Sequence, residues 1–161
     1  VYWALTLAPT VADVSCVQSA PGVVVVTLMG AGADAMPTAG ELDTVRRAFA
    51  DERGSLRPLT DSVTVAPPVA VPYAVEADLW LLPGPDASLV EARARADLAK
   101  LLASERKLGH DMPRSALDKA LHQAGMSRVD LISPAANVIT TPRQIALPSG
   151  PPALRIAGRT I

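Results

Sequence analysis

The sequence predicts an α+β fold of two small units, each a β-sheet packed with one or two helices, plus an extended C-terminal tail. Three observations carry this prediction: short β-rich runs recur along the chain, helix-periodic segments lie between them, and a cluster of prolines divides the sequence. We place a strand-strand-helix-strand unit at residues 1–66 and a proline-rich joint at 67–72. A strand-helix-helix-strand unit follows at 73–134, and the tail, with short strands, occupies 135–161.

Composition excludes several classes of protein. The 161 residues include 15 Lys and Arg against 16 Asp and Glu, a net charge of −1, so we expect no nucleic-acid partner. Hydrophobic residues make up 49% and charged residues 19%, which is enough apolar material for a core. No apolar run is long enough to span a membrane, and we expect no signal peptide from the first residues. The single cysteine, Cys16, cannot form an internal disulfide, so we expect a reducing compartment.

The first unit begins with a predicted β-hairpin. Ala12–Val17 and Val23–Met29 are β-rich runs separated by the turn residues Ser19-Ala20-Pro21-Gly22. The second run is apolar throughout, which is typical of a central strand covered on both faces. We therefore expect it to lie in the middle of a sheet.

A helix and a strand complete the first unit. Thr38-Ala39-Gly40-Glu41 has the pattern of a capping box, which marks the start of a helix. Leu42, Val45 and Phe49 then share one helical face, and the helix should end near Gly54. A turn at Arg57–Asp61 leads into a predicted strand at Ser62–Ala66, in which Val63 and Val65 share a face.

The second unit opens with the clearest strand pattern in the chain. Apolar and polar residues alternate from Tyr73 to Leu81, with Glu76, Asp78 and Trp80 on the polar face. The apolar face consists of Tyr73, Val75, Ala77, Leu79 and Leu81. This period of two predicts a strand with one buried face.

Two helices and a strand follow. The first is capped by Asp86 or Ser88, carries an ion pair from Glu91 to Arg95, and should reach Lys107. Its buried stripe is Val90, Ala94, Leu98 and Leu101, and Gly109 ends the helix.

The second helix begins at Pro113, ends before Gly125, and has a buried face of Leu117, Ala120, Leu121 and Ala124. A strand is predicted at Arg128–Ile132. The tail contains two short β-like pieces, Gln144–Leu147 and Leu154–Ala157.

A glycine-rich loop, Gly30–Ala35, satisfies the G-x-G-x-x-A pattern of dinucleotide-binding proteins. That pattern binds a pyrophosphate only where the glycines open a helix, whereas here the capping box starts the helix several residues later. The next strand also ends in Ala66-Pro67-Pro68, without the acidic residue expected for a ribose. We therefore interpret it as a strand-to-helix loop and expect no cofactor.

Other catalytic and metal-binding patterns are equally weak. His110 and His122 are 12 residues apart without a further His or Cys at ligand spacing, so we expect no metal. Cys16 lies in a strand and is expected to be a small buried hydrophobe rather than a nucleophile. No serine stands in a G-x-S-x-G elbow. The sequence thus predicts no catalytic residues and no enzyme.

The few aromatic residues are more informative. Tyr2 and Trp3 lie at the beginning of the chain, and Trp80 lies on the polar face of its strand. Indole is costly to leave in water and is enriched in contact surfaces. Cover for Trp80 from within the chain is equally compatible with its position. Tyr2, Trp3 and Trp80 are our candidate interface residues.

The order of these signals resembles the C-terminal half of the baseplate J-like family of contractile phage tails. VADVSCVQSAPGVVVV at Val11–Val26 is followed by a Gly-rich loop, a helix, RPLTDSVTV at Arg57–Val65 and a Tyr-containing strand. A long helix, LGHDMPRSALDKAL at Leu108–Leu121 and AGMSRVDLISP at Ala124–Pro134 continue the similarity. Met126 stands where family members often have Val, a tolerable exchange of apolar residues.

The resemblance implies a non-enzymatic structural protein of the baseplate wedge, assembled in several copies into a ring. Its partners would be other wedge proteins and the tail protein that links to the fibres. It would be located in the virion tail, and in the cytoplasm of the host bacterium during assembly. A phage, a prophage and a tailocin are equally compatible with this family.

Two other functions stay open. A ring-forming α+β module of a bacterial secretion complex would share this strand and helix order. A small-molecule-sensing domain of the paired α+β type would also share it, and would require a saturable ligand site.

Overall fold

The computed structural model describes residues 2–50 and 62–159, and of Trp3 it describes the backbone only. The chain forms two compact units. The first contains the chain up to Ala70, with Lys107–Gly109 and Thr140–Ile145; the second contains Val71–Arg106, His110–Ile139 and the chain from Ala146 onward. Helices and several small sheets confirm the predicted α+β class.

The first unit contains a three-stranded sheet and two helices. Its elements are α1 (Tyr2–Leu7), β1 (Val11–Ala20), β2 (Val23–Gly30), α2 (Ala39–Ala50) and β3 (Ser62–Ala66). The apolar strand β2 lies between the other two, antiparallel to β1 and parallel to β3. The predicted hairpin and the central position of its second strand are therefore confirmed. Helix α1 was not predicted, because six residues are too few to show a helical period.

The predicted capping box sets the start of α2. The Glu41 amide donates to the Thr38 hydroxyl over 3.3 Å, and the Thr38 amide donates to the Glu41 carboxylate over 2.7 Å. Val45 is fully buried, while Leu42 and Phe49 pack against the same cluster. The predicted helix end near Gly54 and the turn at Arg57–Asp61 lie outside the described residues.

One core cluster belongs to this unit. It brings together residues of both helices and all three strands, and Leu28 and Val45 are its largest fully buried members. Val65 is buried and Val63 packs beside it, so the face predicted for β3 is confirmed.

The chain around the proline-rich joint differs from the expectation. A strand, β4 (Val69–Tyr73), overlaps the joint predicted at 67–72 and forms a two-stranded sheet with β7 (Gln144–Pro148). With one neighbouring strand, β4 does not need every amide for the sheet and so accommodates Pro72. The strand predicted from Tyr73 to Leu81 is accordingly split, and β5 covers only Glu76–Leu81.

The second unit packs two helices on one face of a three-stranded sheet. Its remaining elements are α3 (Ala87–Ser104), α4 (Arg114–Leu121), β6 (Met126–Ser133) and β8 (Ala153–Arg159). The strand order is β6-β5-β8, with β5 antiparallel to β6 and parallel to β8. The core contains most of the predicted apolar residues of the strand and of both helices: Tyr73, Val75, Ala77, Leu79, Leu81, Val90, Ala94, Leu98, Leu117 and Leu121. Leu101 packs against this core and Ala120 is half-buried, whereas the predicted burial of Ala124 is wrong: it is exposed, because α4 ends at Leu121.

Helix α3 shows both the strength and the limit of sequence signals. Asp86 caps it as predicted, accepting the Ser88 amide over 2.8 Å. The helix ends at Ser104 rather than Lys107, and the Ser104 hydroxyl donates to the Leu101 carbonyl in its last turn. Charged residues near a helix end carry no periodic signal, so sequence patterns locate such ends only approximately.

The C-terminal segment is covered by the chain itself. The two predicted β-like pieces correspond to β7 and β8, and each strand pairs with an earlier strand of the chain. Ile145 is fully buried and Leu154 is nearly so. Ile145 and Leu154 therefore do not need a partner protein to shield them from water, whereas Ile139 and Ile156 stay exposed.

Candidate interaction surface

Trp80 lies on the sheet face opposite to the helices of the second unit. Along β5, Ala77, Leu79 and Leu81 are buried in the core, and the residues between them point to the other side. The strand register places Arg128 of β6 and Gly158 of β8 on either side of Trp80. The polar-face position predicted for Trp80 is therefore confirmed.

The indole of Trp80 is held by its neighbours in the sheet. Its Nε1 donates to an Asp130 carboxylate oxygen over 2.9 Å, and the guanidinium of Arg128 lies 4.8 Å from the ring centroid. Gly158 leaves space for the ring, because a Cβ at that position would be 3.0 Å from Cζ3 of the indole. The chain covers Trp80 partly, and the side chain stays half-buried.

Charged pairs occupy the rest of this face. Arg155 binds both carboxylate oxygens of Asp78 over 2.9 and 2.8 Å, and this hydrogen bonding holds the pKa of Asp78 below its usual value. Arg128 binds Asp130 over 2.7 Å. We call Asp78, Trp80, Arg128, Asp130 and Arg155 the outer sheet face. It offers an aromatic ring together with exposed guanidinium groups, a composition common in protein contact surfaces.

The other two candidate residues belong to the first unit. Tyr2 lies at the start of α1 with 71% of its surface exposed, whereas Ala4 in the same helix is fully buried. Trp3 lies in α1, but its side chain is outside the described part of the chain. Contact roles for Tyr2, Trp3 and Trp80 stay predictions.

The loop at Gly30–Ala35 folds onto itself. The Gly30 amide donates to the Ala35 carbonyl over 2.9 Å, and Ala35 is fully buried with φ +61°. A Cβ on Gly30 would be 2.1 Å from the carbonyl oxygen of Met36, so glycine is required for the loop to close. Because α2 begins only at Ala39, these glycines do not open a helix, which supports the interpretation as a connecting loop.

The remaining candidates for chemistry lie apart. His110 is 3.0 Å from the Glu105 carboxylate, and His122 is the C-cap residue of α4. Cys16 is exposed, so its predicted burial is wrong: it lies on the edge strand β1, while Val26 opposite it on the central strand is buried. In residues 2–50 and 62–159, no three His, Cys, Asp or Glu side chains are grouped as metal ligands.

None of the helices within the described ranges combines the length and apolar character needed to cross a bilayer.

The sequence analysis did not predict the backbone contacts of two arginines. Arg95 was predicted to pair with Glu91, which the 2.8 Å contact confirms, but it also donates to the carbonyls of Pro152 and Leu154. Arg114 donates to the carbonyls of Leu131 and Pro134. Backbone carbonyls leave no sequence signal, and these acceptors are 17 to 59 residues away.

Comparisons with known proteins agree with the resemblance found in the sequence. Residues 1–67 match the family described as Baseplate J-like central domain. The chain is also 32% identical over 134 residues to Baseplate protein J of Escherichia phage P2, which covers 83% of this chain and 44% of that protein. The chain thus spans less than half the length of the curated relative that it matches.

Proposed function

We propose that this chain is a structural component of a contractile-tail baseplate, because residues 1–67 match the family described as Baseplate J-like central domain. The observation that carries the proposal is the 32% identity to a baseplate protein J over 83% of the chain. Its role is assembly of the wedge or ring, with no catalytic step of its own.

The contacts of the second unit support a structural role. On the outer sheet face, the polar side chains of Asp78, Arg155 and Asp130 bind one another or Trp80. Interlocked side chains form a rigid surface, which suits docking between proteins because little side-chain entropy is lost on contact. Arg155 and Arg128 keep most of their side-chain surface exposed and available to a partner.

The partners follow from the same proposal. They are other wedge proteins, further copies of this chain and the tail protein that links to the fibres. The particle is a phage or phage-like tail, assembled in the cytoplasm of the host bacterium. A net charge of −1 supports protein partners rather than nucleic acid.

We also propose that residues 1–66 and 73–134 act as two modules around the joint at 67–72, with the tail at 135–161 completing them. Support comes from the separate core clusters of the two units. Tyr2 and Trp3 would provide contacts from the first module and Trp80 from the second.

Deletion of the gene from its phage or prophage tests this proposal. The expected result is a particle without a functional baseplate, restored when the complete protein is supplied from a plasmid. Normal, infective or bactericidal tails in the deletion strain would overturn the proposal. A metabolite that stabilises the purified protein in a thermal-shift screen, together with normal tails, would instead support a sensing domain.

A further inference from the structure

The sheet of the second unit has two outer edges. β5 lies in the middle, and within the described residues β6 and β8 each pair with β5 alone in this sheet. Val129 of β6 and Ile156 of β8 stand opposite Leu79 of β5, so the three form one row across the sheet. Unpaired strand edges bind further strands unless a protein protects them.

Arginines protect both edges. Arg95, on α3, donates to the carbonyls of Pro152 and Leu154 over 3.1 and 3.3 Å. The Ala153 amide donates to the carbonyl of Val75, on the side of the β5 strand. Because the backbone groups of successive strand residues point to opposite sides, the Leu154 carbonyl points away from β5, to the outer edge of β8.

Arg114, at the start of α4, covers backbone carbonyls of β6 in the same way. It donates to the Leu131 carbonyl over 2.8 Å and also to the Pro134 carbonyl. Each edge thus carries one guanidinium from a helix of the same unit. These guanidinium groups occupy carbonyls that a further strand would use, and so they protect both edges from strand addition.

The charges beside the two edges become complementary once Arg114 leaves its edge. β8 carries Arg155 and Arg159, and 74% of the Arg155 side chain is exposed, although it is paired with Asp78. Beside β6, an open groove of about 510 Å³ is lined by residues of α4 and β6, among them Arg114, Asp118 and Asp130. Without Arg114, the charged side chains of this groove are Asp118 and Asp130, of which Asp130 is paired with Arg128. Because β6 runs antiparallel to β5 and β8 runs parallel to it, β8 of one copy would meet β6 of the next as an antiparallel pair.

We propose that copies of this chain join edge to edge, β8 of one against β6 of the next, and that Arg95 and Arg114 hold these edges closed in the free chain. This inference rests on the proposed function, which requires several copies in one ring. An interface between two different edges is head-to-tail, and head-to-tail contacts close into rings when the rotation permits.

A disulfide pair tests the contact directly. The complete protein carries Val129→Cys and Ile156→Cys, with Cys16→Ser to remove the native thiol. Within one copy, two strand spacings separate these positions by roughly 9.5 Å, which is beyond the reach of a disulfide. A 129–156 disulfide therefore forms only between copies. We expect dimers and longer ladders on non-reducing gels when Arg95→Met and Arg114→Met are added, and at least tenfold less cross-linking with both arginines present.

Arg93→Met replaces Arg95→Met as the matched control, because Arg93 lies on the same helix and is exposed. Absence of cross-linked species in the folded arginine variant would overturn the edge contact. Equal cross-linking with and without the arginines would overturn their closing role.

A second variant separates edge pairing from misfolding. Ile156→Pro removes an outward amide from β8 and leaves the bonds to β5 in place. Added to Arg95→Met and Arg114→Met without the cysteines, it should return the protein to the wild-type mass in light scattering. Oligomers that persist despite the proline would contradict strand pairing. If tails assembled with the cysteine variant contain the protein but no 129–156 disulfide, the edge contact is overturned and the proposed function stands.

Discussion

At the residue scale, Trp80 shows how one side chain can serve the fold and a contact surface together. Its Nε1 is bonded to Asp130, its ring lies against Gly158 and Arg128, and part of the indole stays in solvent. A ring held by several neighbours keeps one orientation, which suits docking. Stability and assembly must therefore be measured separately for this residue.

Two substitutions of Trp80 distinguish these roles. Trp80→Phe keeps an aromatic ring and loses the hydrogen bond to Asp130, so it should lower the free energy of unfolding by about 1 kcal/mol. Trp80→Ala also loses ring contacts and should cost about 2 kcal/mol. Urea unfolding measures both. In plasmid complementation of the deletion strain, Trp80→Ala should abolish tail assembly and Trp80→Phe should retain it. Unchanged stability and unchanged assembly in Trp80→Ala would remove Trp80 from the interface.

At the element scale, the loop between β2 and α2 and the cap of that helix follow local rules. The chain must turn sharply after Gly30 so that the loop closes on the Met36 carbonyl, and Thr38 with Glu41 then starts the helix. Such features need only neighbouring residues. For that reason the capping box and the start of α2 were predictable from the sequence, whereas the close approach at Gly30 was not.

Two glycine substitutions test the loop. Gly30→Ala should destabilise the protein by about 2 to 3 kcal/mol, because its Cβ overlaps the Met36 carbonyl. Gly40→Ala is the matched control: no atom lies within 4 Å of the added Cβ, and alanine in α2 should stabilise by about 0.5 kcal/mol. Thermal and urea unfolding measure both. A Gly30→Ala protein as stable as Gly40→Ala would refute the account of the loop.

The cap of α2 makes stability depend on pH. Hydrogen bonds from the Thr10 hydroxyl, and then from the Thr38 amide and hydroxyl, lower the pKa of Glu41 below its ordinary 4.5. The unfolded chain therefore binds this proton before the folded chain does, and stability is lost as pH falls from about 4.5 through the lower folded-state pKa. Wild type should lose more unfolding free energy between pH 6 and about pH 3 than Glu41→Gln does. Parallel pH profiles for the two proteins would contradict this assignment.

At the scale of the whole molecule, the fold class and most elements followed from local patterns, but the sheet partners did not. β3 pairs in parallel with β2 across a helix, and β8 reaches back to β5 over more than 70 residues. Pairing between strands so far apart in the sequence depends on how distant segments pack. The periods of 2 and 3.6 residues that identify strands and helices do not encode it. The strand β4 escaped prediction for a related reason: Val69–Tyr73 is stabilised by β7, which lies far along the chain.

The same distinction applies to the candidate surface. Alternation along β5 placed Trp80 on the polar face correctly. Its contacts with Arg128, Asp130 and Gly158 come from strands that the sequence did not pair with β5. The arginines on the sheet edges bind backbone carbonyls of distant residues, which no sequence pattern identifies.

The position of this chain in an intact tail tests the central claim most directly. A gold-labelled antibody against the chain, applied to purified contractile tails in the electron microscope, reports that position. We predict labels only at the baseplate end of the tail, and none on tails from the deletion strain. Tails without label, or with label along the sheath or at the opposite end, would contradict a role in the baseplate.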